Sequence, residues 1–528
     1  MEAVAESQFE SLRRLLVRAG RTARAAWPIG LPLAGGAALR IWMLKALVES
    51  NGDTAIYAGL ADNLLQYGRY AVVGPGGALV PTLIRLPGYS LFLVVCFRLF
   101  GMDNYFAVGC VQIALDLAAC LLAAEFARRV APVAYKRSAL MATLWLAALC
   151  PFTASFTPAV LTETASVFTV ALAMWAMARF HDRPGWSGAL WFTFAVTGAA
   201  LLRPDGALAA VAFAPAMVVG LTPSHAGAEL PDAAGAGPGN PIVSGANPAP
   251  AQRISAESRS KHPPPGAGIG RMAVVCALLA LAPFAAWTWR NWRVFHVFQP
   301  LAPRSAADPG EETYPGWQLW VKTWSLDFIS TYQVYWNVPD GKFEIGDLPS
   351  RAFDSPAQYA ETAALAAAYA QNDNQLTQAM DAAFAKLARQ RISTHPWRYY
   401  LWLPLGRLAD MWVRPRVEDL NIDLDWWVYS HHHFDTEFSW AYGGLNAFYL
   451  LLALAGLCLR PRFWQALAAY MLLRSALLLT VGAPETRYTI ECFPMIFALA
   501  GIAIAAGRSR ILHRSGAMRT SWLPATAK

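Results

Sequence analysis

YFAVGCVQIALDLAACLLAAEFARRV, residues 105–130, decides what kind of protein this is. From Tyr105 to Ala127 its only strongly polar residues are Gln112, Asp116 and Glu125, and it ends on Arg128 and Arg129. A helix of that length rises about 35 Å, enough to cross the hydrocarbon core of a bilayer. The arginine pair that follows marks the end expected to stay in the cytoplasm. Similar apolar runs lie at 27–48, 138–157, 160–180, 187–202, 205–221, 272–289, 442–459, 463–482 and 488–507. Ten crossings bring both termini to one side. That side collects the basic tails and the basic connections at 128–137, 179–186 and 460–462. The opposite short connections hold few cations: Arg69, Arg85, Arg203 and Arg487.

Composition agrees with this threading. Of 528 residues 56% are hydrophobic and 15% charged, too little charge to cover a soluble chain of this length. The expected fold is an all-α polytopic membrane protein with about ten transmembrane helices. The net charge of +8 is a topology signal, so nucleic acid is not an expected partner. All seven cysteines lie inside apolar runs, without metal-ligand or loop-disulfide spacing, and read as packing residues. No small-residue cleavage site follows the first run, which reads as a retained span.

The organisation follows. Residues 1–221 form an N-terminal membrane module whose first outer loop is 49–104. Residues 222–271, rich in Pro, Gly, Ala and Ser, read as a disordered cytoplasmic linker. After a span at 272–289, residues 290–441 form the one sizeable outer region, with an Ala-rich helical stretch near 356–392. Residues 442–528 hold the last spans and a basic tail. Two apolar stretches, 88–100 and 399–413, are too short to cross comfortably and read as interfacial helices, with a re-entrant piece as the alternative for 88–100.

Charged residues at outer helix ends are the candidates for chemistry. Asp53 follows the Asn51-Gly52 turn and precedes an amphipathic run, which fits a helix N-cap. A carboxylate in that position can also present its free oxygen to a ligand. Glu163 opens the fourth span, where it either complements the helix dipole or serves a site. Arg85, Arg203, Arg290 and Arg487 each stand alone among apolar residues. Any one can be a snorkelling side chain, but four on the side depleted of cations can together bind a phosphate. Glu485 can pair with Arg487, Asp205 with Arg203, and Glu125 with Arg128 or Arg129. Asp116 lies deep in its span and calls for a polar neighbour. The triplet His431–His433, with Asp423 and Asp425 nearby, lacks the spacing of a metal site and reads as a polar loop. No metal site and no cofactor is expected, and a divalent ion at those aspartates has no further support.

The series of motifs resembles the GT-C membrane glycosyltransferases, in the branch of protein O-mannosyltransferases and the lipid A aminoarabinose transferase. The matching pieces are GDTAIY after the first span, RLPGYSLFLVVCFRLFG, LTETASVF, LLRPDG, WTWRNWRVF, STHPWRYYLWLPLGRL and PETRYT. Each is weak alone, but their order covers nearly the whole chain. The resemblance implies transfer of a sugar from a polyprenyl-phosphate donor to an acceptor hydroxyl on the outer face, with inversion. It assigns Asp53 to the base and Glu163 to the second acid, and sets Arg85 and Arg203 toward the lipid phosphate, with Arg290 and Arg487 secondary. The chain departs from the O-mannosyltransferase pattern at Thr54, where an acidic residue is usual, and from the aminoarabinose pattern at Arg85, where lysine is usual. The sugar and the acceptor, whether lipid, glycan or protein, therefore stay open. The implied setting is a bacterial inner membrane, with both termini cytoplasmic and the site periplasmic.

A transporter or lipid flippase is the alternative. It would show paired broken helices and polar residues near mid-span, whereas here the polar residues cluster at outer helix ends. A non-catalytic envelope scaffold is a third reading, and it predicts that Asp53 is replaceable.

Overall fold

The computed structural model describes residues 27–47, 52–219, 265–303, 307–339, 341–420, 422–423, 425–427, 429–430 and 433–521. The basic N-terminal tail, His431, His432 and most of the expected linker lie outside them. Where description resumes, the chain is already helical from Pro265, so residues 265–271 belong to a helix and not to the linker.

The protein is an all-α polytopic membrane protein. Helix α1 (27–46) is followed by α2 (Gly52–Tyr67) and a small antiparallel hairpin, β1 (Ala71–Val73) and β2 (Leu79–Pro81), with Val72 opposite Val80. Then come α3 (Pro87–Phe100), α4 (Tyr105–Val130), α5 (Lys136–Ala148), the single turn α6 (Pro151–Ala154), α7 (Glu163–Asp182), α8 (Trp186–Leu202) and α9 (Leu208–Val219). The long α10 (Pro265–Phe295) leads into α11 (Pro315–Lys322), the turn α12 (Phe328–Ser330), α13 (Pro356–Gln371), α14 (Gln378–Thr394) and α15 (Leu403–Val413). The chain closes with α16 (His433–Cys458), α17 (Trp464–Leu478) and α18 (Phe493–Ser521).

Among the described residues, four stretches are long and apolar enough to cross a membrane by themselves: Tyr105–Val130, Ile269–Phe295, His433–Cys458 and Thr486–Leu512. Other expected crossings are shorter than their apolar runs. The run 138–157 gives a helix of 13 residues because Pro151 removes a donor and restarts the chain as one turn. The run 205–221 opens on a 3-10 turn, Pro204–Ala207, before the 12 residues of α9. Helix α3 and the segment around α15 match the expected interfacial pieces, the latter exposing Trp397, Tyr400 and Trp402. The Ala-rich stretch is two helices, α13 and α14, broken at 372–377.

The main core is built where α7 packs between α4 and α8, and where α18 packs against α4, α5 and α16. Phe126, Phe152, Phe493 and Phe497 fill it. Asp116 does find its partner. Arg40 of α1 donates from Nε to Asp116 Oδ2 at 2.7 Å, and from Nη1 to Ala148 O at 2.6 Å. At the end of the bundle away from α2, Arg129 pairs with Asp182 at 2.9 Å and Arg462 with the same carboxylate at 2.7 Å. Glu125 pairs with both Arg128 and Arg129. The region between α10 and α16 has a second core, in which Trp317, Trp320 and Trp324 stack with Phe343 and Phe384. Asp381 on α14 fixes the start of α11 by accepting from Gly316 N and Trp317 N.

Candidate active site

Two proline-glycine turns bring the charges together. In RLPG, Pro87 starts α3 and Gly88 lies where a Cβ would meet Leu201 O at 2.5 Å. In RPDG, Pro204 starts the 3-10 turn and a Cβ on Gly206 would meet Ala199 O at 2.2 Å. Both turns therefore press on the last turn of α8, and only glycine allows so close an approach. The arginine ahead of each turn, Arg85 or Arg203, is carried to the same end of the bundle.

Asp53 is not the N-cap of α2. The helix already includes Gly52, so Asp53 lies in its first turn. Its oxygens are turned to two guanidinium groups instead. Oδ1 accepts from Arg85 Nη2 at 2.7 Å, and Oδ2 from Arg487 Nη1 and Nη2 at 3.3 Å. Burial pushes the carboxyl up, but Arg487 and Arg85 outweigh it and hold Asp53 below the usual carboxylate range.

Glu163, at the start of α7, is buried and faces two cations. Arg203 Nη1 donates to its Oε1 at 3.1 Å, and Arg487 Nη1 stands 3.9 Å from the same atom. Arg203 also lies 3.5 Å from Asp205 and 3.3 Å from Glu491. Arg474 continues the chain of pairs, at 2.5 Å from Asp205 and 2.8 Å from Glu491. Arg487 pairs in addition with Glu485 through Nε. Arg203 is thus compensated by three carboxylates, whereas Arg85 has Asp53 alone and leaves its buried Nε without a hydrogen-bond partner among the described residues.

A cavity of about 610 Å³ opens onto this cluster. Asp53, Arg85, Glu163, Arg203 and Arg487 line its polar part, and Leu202, Leu208, Val211 and Leu477 its apolar part. Five of the six expected site residues therefore share one wall system. The sixth does not. Arg290 holds the hairpin instead, donating to Tyr70 O and Thr82 O, each at 2.7 Å, beneath the ring of Tyr70. A second cavity of about 570 Å³ shares Asp53, Arg85, Arg487 and Tyr488 with the first and adds Trp336 and Glu485. Among the described residues no group of three His, Cys, Asp or Glu is arranged to hold a metal.

Sequence reading passes over Arg474 and Glu491. Both sit within runs assigned as spans, and an ionisable residue inside an apolar run is itself the signal of a site or of a buried pair. Trp336, which lines the second cavity, and Asp419, which lines a smaller one beside it, come from loop sequence with no local signal at all.

Compared with solved structures, the fold is similar to the archaeal oligosaccharyltransferase AglB from Archaeoglobus fulgidus, in complex with an inhibitory peptide and a dolichol-phosphate. Identity is 12% and the TM-score 0.45, over 96% of this chain and 53% of AglB. The chain thus spans about half the length of that protein. It is also similar to ArnT from Cupriavidus metallidurans bound to undecaprenyl phosphate, at 13% identity and a TM-score of 0.36, over 92% of this chain and 78% of ArnT. Both are GT-C glycosyltransferases, the group that the sequence motifs resemble. No family model matches the chain, and no curated protein matches it in sequence.

Proposed function

We propose that this protein transfers a sugar from a polyprenyl-phosphate donor to an acceptor hydroxyl at the periplasmic face of the inner membrane, with inversion and with Asp53 as general base. The observation that carries the reading is the position of Asp53. It stands between Arg85 and Arg487 on a wall common to two cavities, one of which is apolar on its far side.

The chemistry follows from that position. The donor's polyprenyl tail stays in lipid against Leu208, Val211 and Leu477, and its phosphate takes the polar end of the cavity. The acceptor oxygen attacks the anomeric carbon from the opposite side. Its proton passes to Asp53, the bond from carbon to phosphate oxygen breaks, and the leaving phosphate keeps the electron pair. Arg85 and Arg487 meet the developing charge with guanidinium donors in a site of reduced dielectric. Arg203 is held by three acids and acts behind them, fixing Glu163 and the floor of the site. Before the donor binds, the two arginines keep Asp53 ionised. Once they turn to the phosphate, they release Asp53 to accept a proton, so donor binding itself raises the basicity that the reaction needs.

The test is release of polyprenyl phosphate from a panel of polyprenyl-phosphate sugars, with envelope extract as acceptor, by wild type and Asp53→Asn. Asparagine preserves size and polarity while removing the base. Turnover in wild type and its loss in a normally folded variant support the reading. A variant as active as wild type moves the base elsewhere.

A further inference from the structure

Beyond the cavity that faces the apolar wall lies a chamber in two parts. The part of about 570 Å³ that touches Asp53 meets a smaller one of about 150 Å³ at Trp336, Glu485 and Arg487. Together they have room for a disaccharide. Two features of their lining serve neither the fold nor the transfer step described above.

The first is an aromatic wall. Trp336 and Tyr332 pack on each other with ring centroids 5.9 Å apart, and Trp336 packs on Phe328 at 5.7 Å. Phe328 is buried, yet Trp336 is 44% and Tyr332 49% exposed, so the wall is anchored behind and open in front. Rings held in this way stack on the apolar face of a sugar and attract a cation over their own faces.

The second is Asp419. It lines the smaller part and is exposed to it, and among the described residues it has no hydrogen bond and no ion pair. Its acidic neighbours are already matched: Glu418 lies 2.8 Å from Arg414, Glu485 pairs with Arg487, and Glu163 is shared by Arg203 and Arg487. Asp419 is therefore the surplus negative charge of the chamber. The surrounding protein pushes its carboxyl up to about 7, helped by Glu418 and Glu163 and opposed by Arg487. A carboxylate without a cationic partner leaves that place open to a bound cation.

We infer that this chamber takes an acceptor glycan carrying a protonated amine, its sugar ring on Trp336 and its ammonium group at Asp419. The inference rests on the transferase reading for the word acceptor, but the site is defined by binding alone.

The experiment is isothermal titration of the full-length protein in detergent with 6-amino-6-deoxytrehalose and with trehalose, at about pH 8, where both a primary amine and Asp419 are charged. The pair differs in one group. The amino sugar is expected to bind at least about tenfold more tightly than trehalose. Asp419→Asn is expected to erase that preference, and Trp336→Ala to weaken both sugars, with thermal unfolding unchanged in each variant. Equal affinities in wild type, no binding of either sugar, or a preference that survives in Asp419→Asn would each overturn the inference. No donor and no turnover are needed. A protein that turns over donors but shows no preference sinks this inference alone, and a preference without turnover on any donor sinks the transferase reading alone.

Discussion

Arg487→Met should cut the affinity for undecaprenyl phosphate about 30- to 350-fold. Methionine keeps most of the stem packing and removes the charge, so the effect isolates the guanidinium. In the free protein Arg487 serves Asp53 at 3.3 Å, Glu163 at 3.9 Å and Glu485. Two unit charges about 6 Å apart interact by about 2.8 kcal/mol at an effective dielectric of 20. Arg487 is one-fifth exposed, and screening reduces that to about 1.5 kcal/mol. A charge-assisted hydrogen bond to phosphate adds about 1.5–3 kcal/mol. Against this, Arg487 must leave Asp53 to reach the phosphate, which returns about 1 kcal/mol. The net loss is about 2–3.5 kcal/mol, hence the range given. Titration of purified protein with undecaprenyl phosphate reads it directly, without turnover. Arg487→Lys should recover about half of the loss in free energy, because the charge returns but not the paired donors. Binding within about threefold of wild type, in a variant with normal unfolding, refutes the placing of the phosphate at Arg487.

Three further outcomes can be checked. Arg290→Ala should lower stability by about 2 kcal/mol through the freed carbonyls of Tyr70 and Thr82, and leave undecaprenyl phosphate binding within about twofold of wild type. Thermal unfolding and the same titration separate the two effects. The base must be ionised to act and its carboxyl is held low, so kcat/KM should fall with decreasing pH only below the ordinary carboxylate range. Arg85→Ala should move that limb upward. The same sign applies to stability: what the ionised Asp53 contributes is present above its unfolded value and lost as pH falls through the lowered folded one. Finally, Arg40→Met alone should destabilise the bundle by about 3–5 kcal/mol, leaving Asp116 buried and unpaired, whereas Arg40→Met with Asp116→Leu should return most of it in equilibrium unfolding.

How much of this was legible depended on whether the signal was local. The run 105–130 declares a candidate span because hydropathy is a local quantity. Asp53, Arg85, Glu163, Arg203 and Arg487 stood out for a related reason, since a lone charge at an apolar helix end has few uses. What the sequence does not declare is pairing. The pairing of Arg203 with Asp205 can be read from neighbouring positions, but Glu491, its other partner, comes from a segment almost three hundred residues away. Arg290, placed second to Arg85 and Arg203 from the sequence, has as its neighbours the carbonyls of a hairpin too short to announce itself. Asp53 lies inside the first turn of its helix and not at a cap, and its oxygens meet guanidinium groups. Trp336 and Asp419 are made a site only by the return of distant segments, and no periodicity encodes that.

The pair of Arg40 and Asp116 bears on how the chain is made. The two residues are 76 positions apart, and both are fully enclosed when the bundle is assembled. During synthesis α1 is therefore delivered with a guanidinium two-thirds of the way along it and no carboxylate to meet it, a penalty of up to about 2.5–3.5 kcal/mol if it enters lipid alone. At translation speeds of about 5–20 residues per second, its counter-ion arrives roughly 4–15 s later. For that interval the segment is best kept beside the insertion machinery, where water and protein can solvate the charge, and it is released into lipid only together with α4. Biogenesis of this protein is in that sense a wait for one aspartate, and the nascent chain offers quality control a defined moment at which to tell a completed pair from an abandoned one.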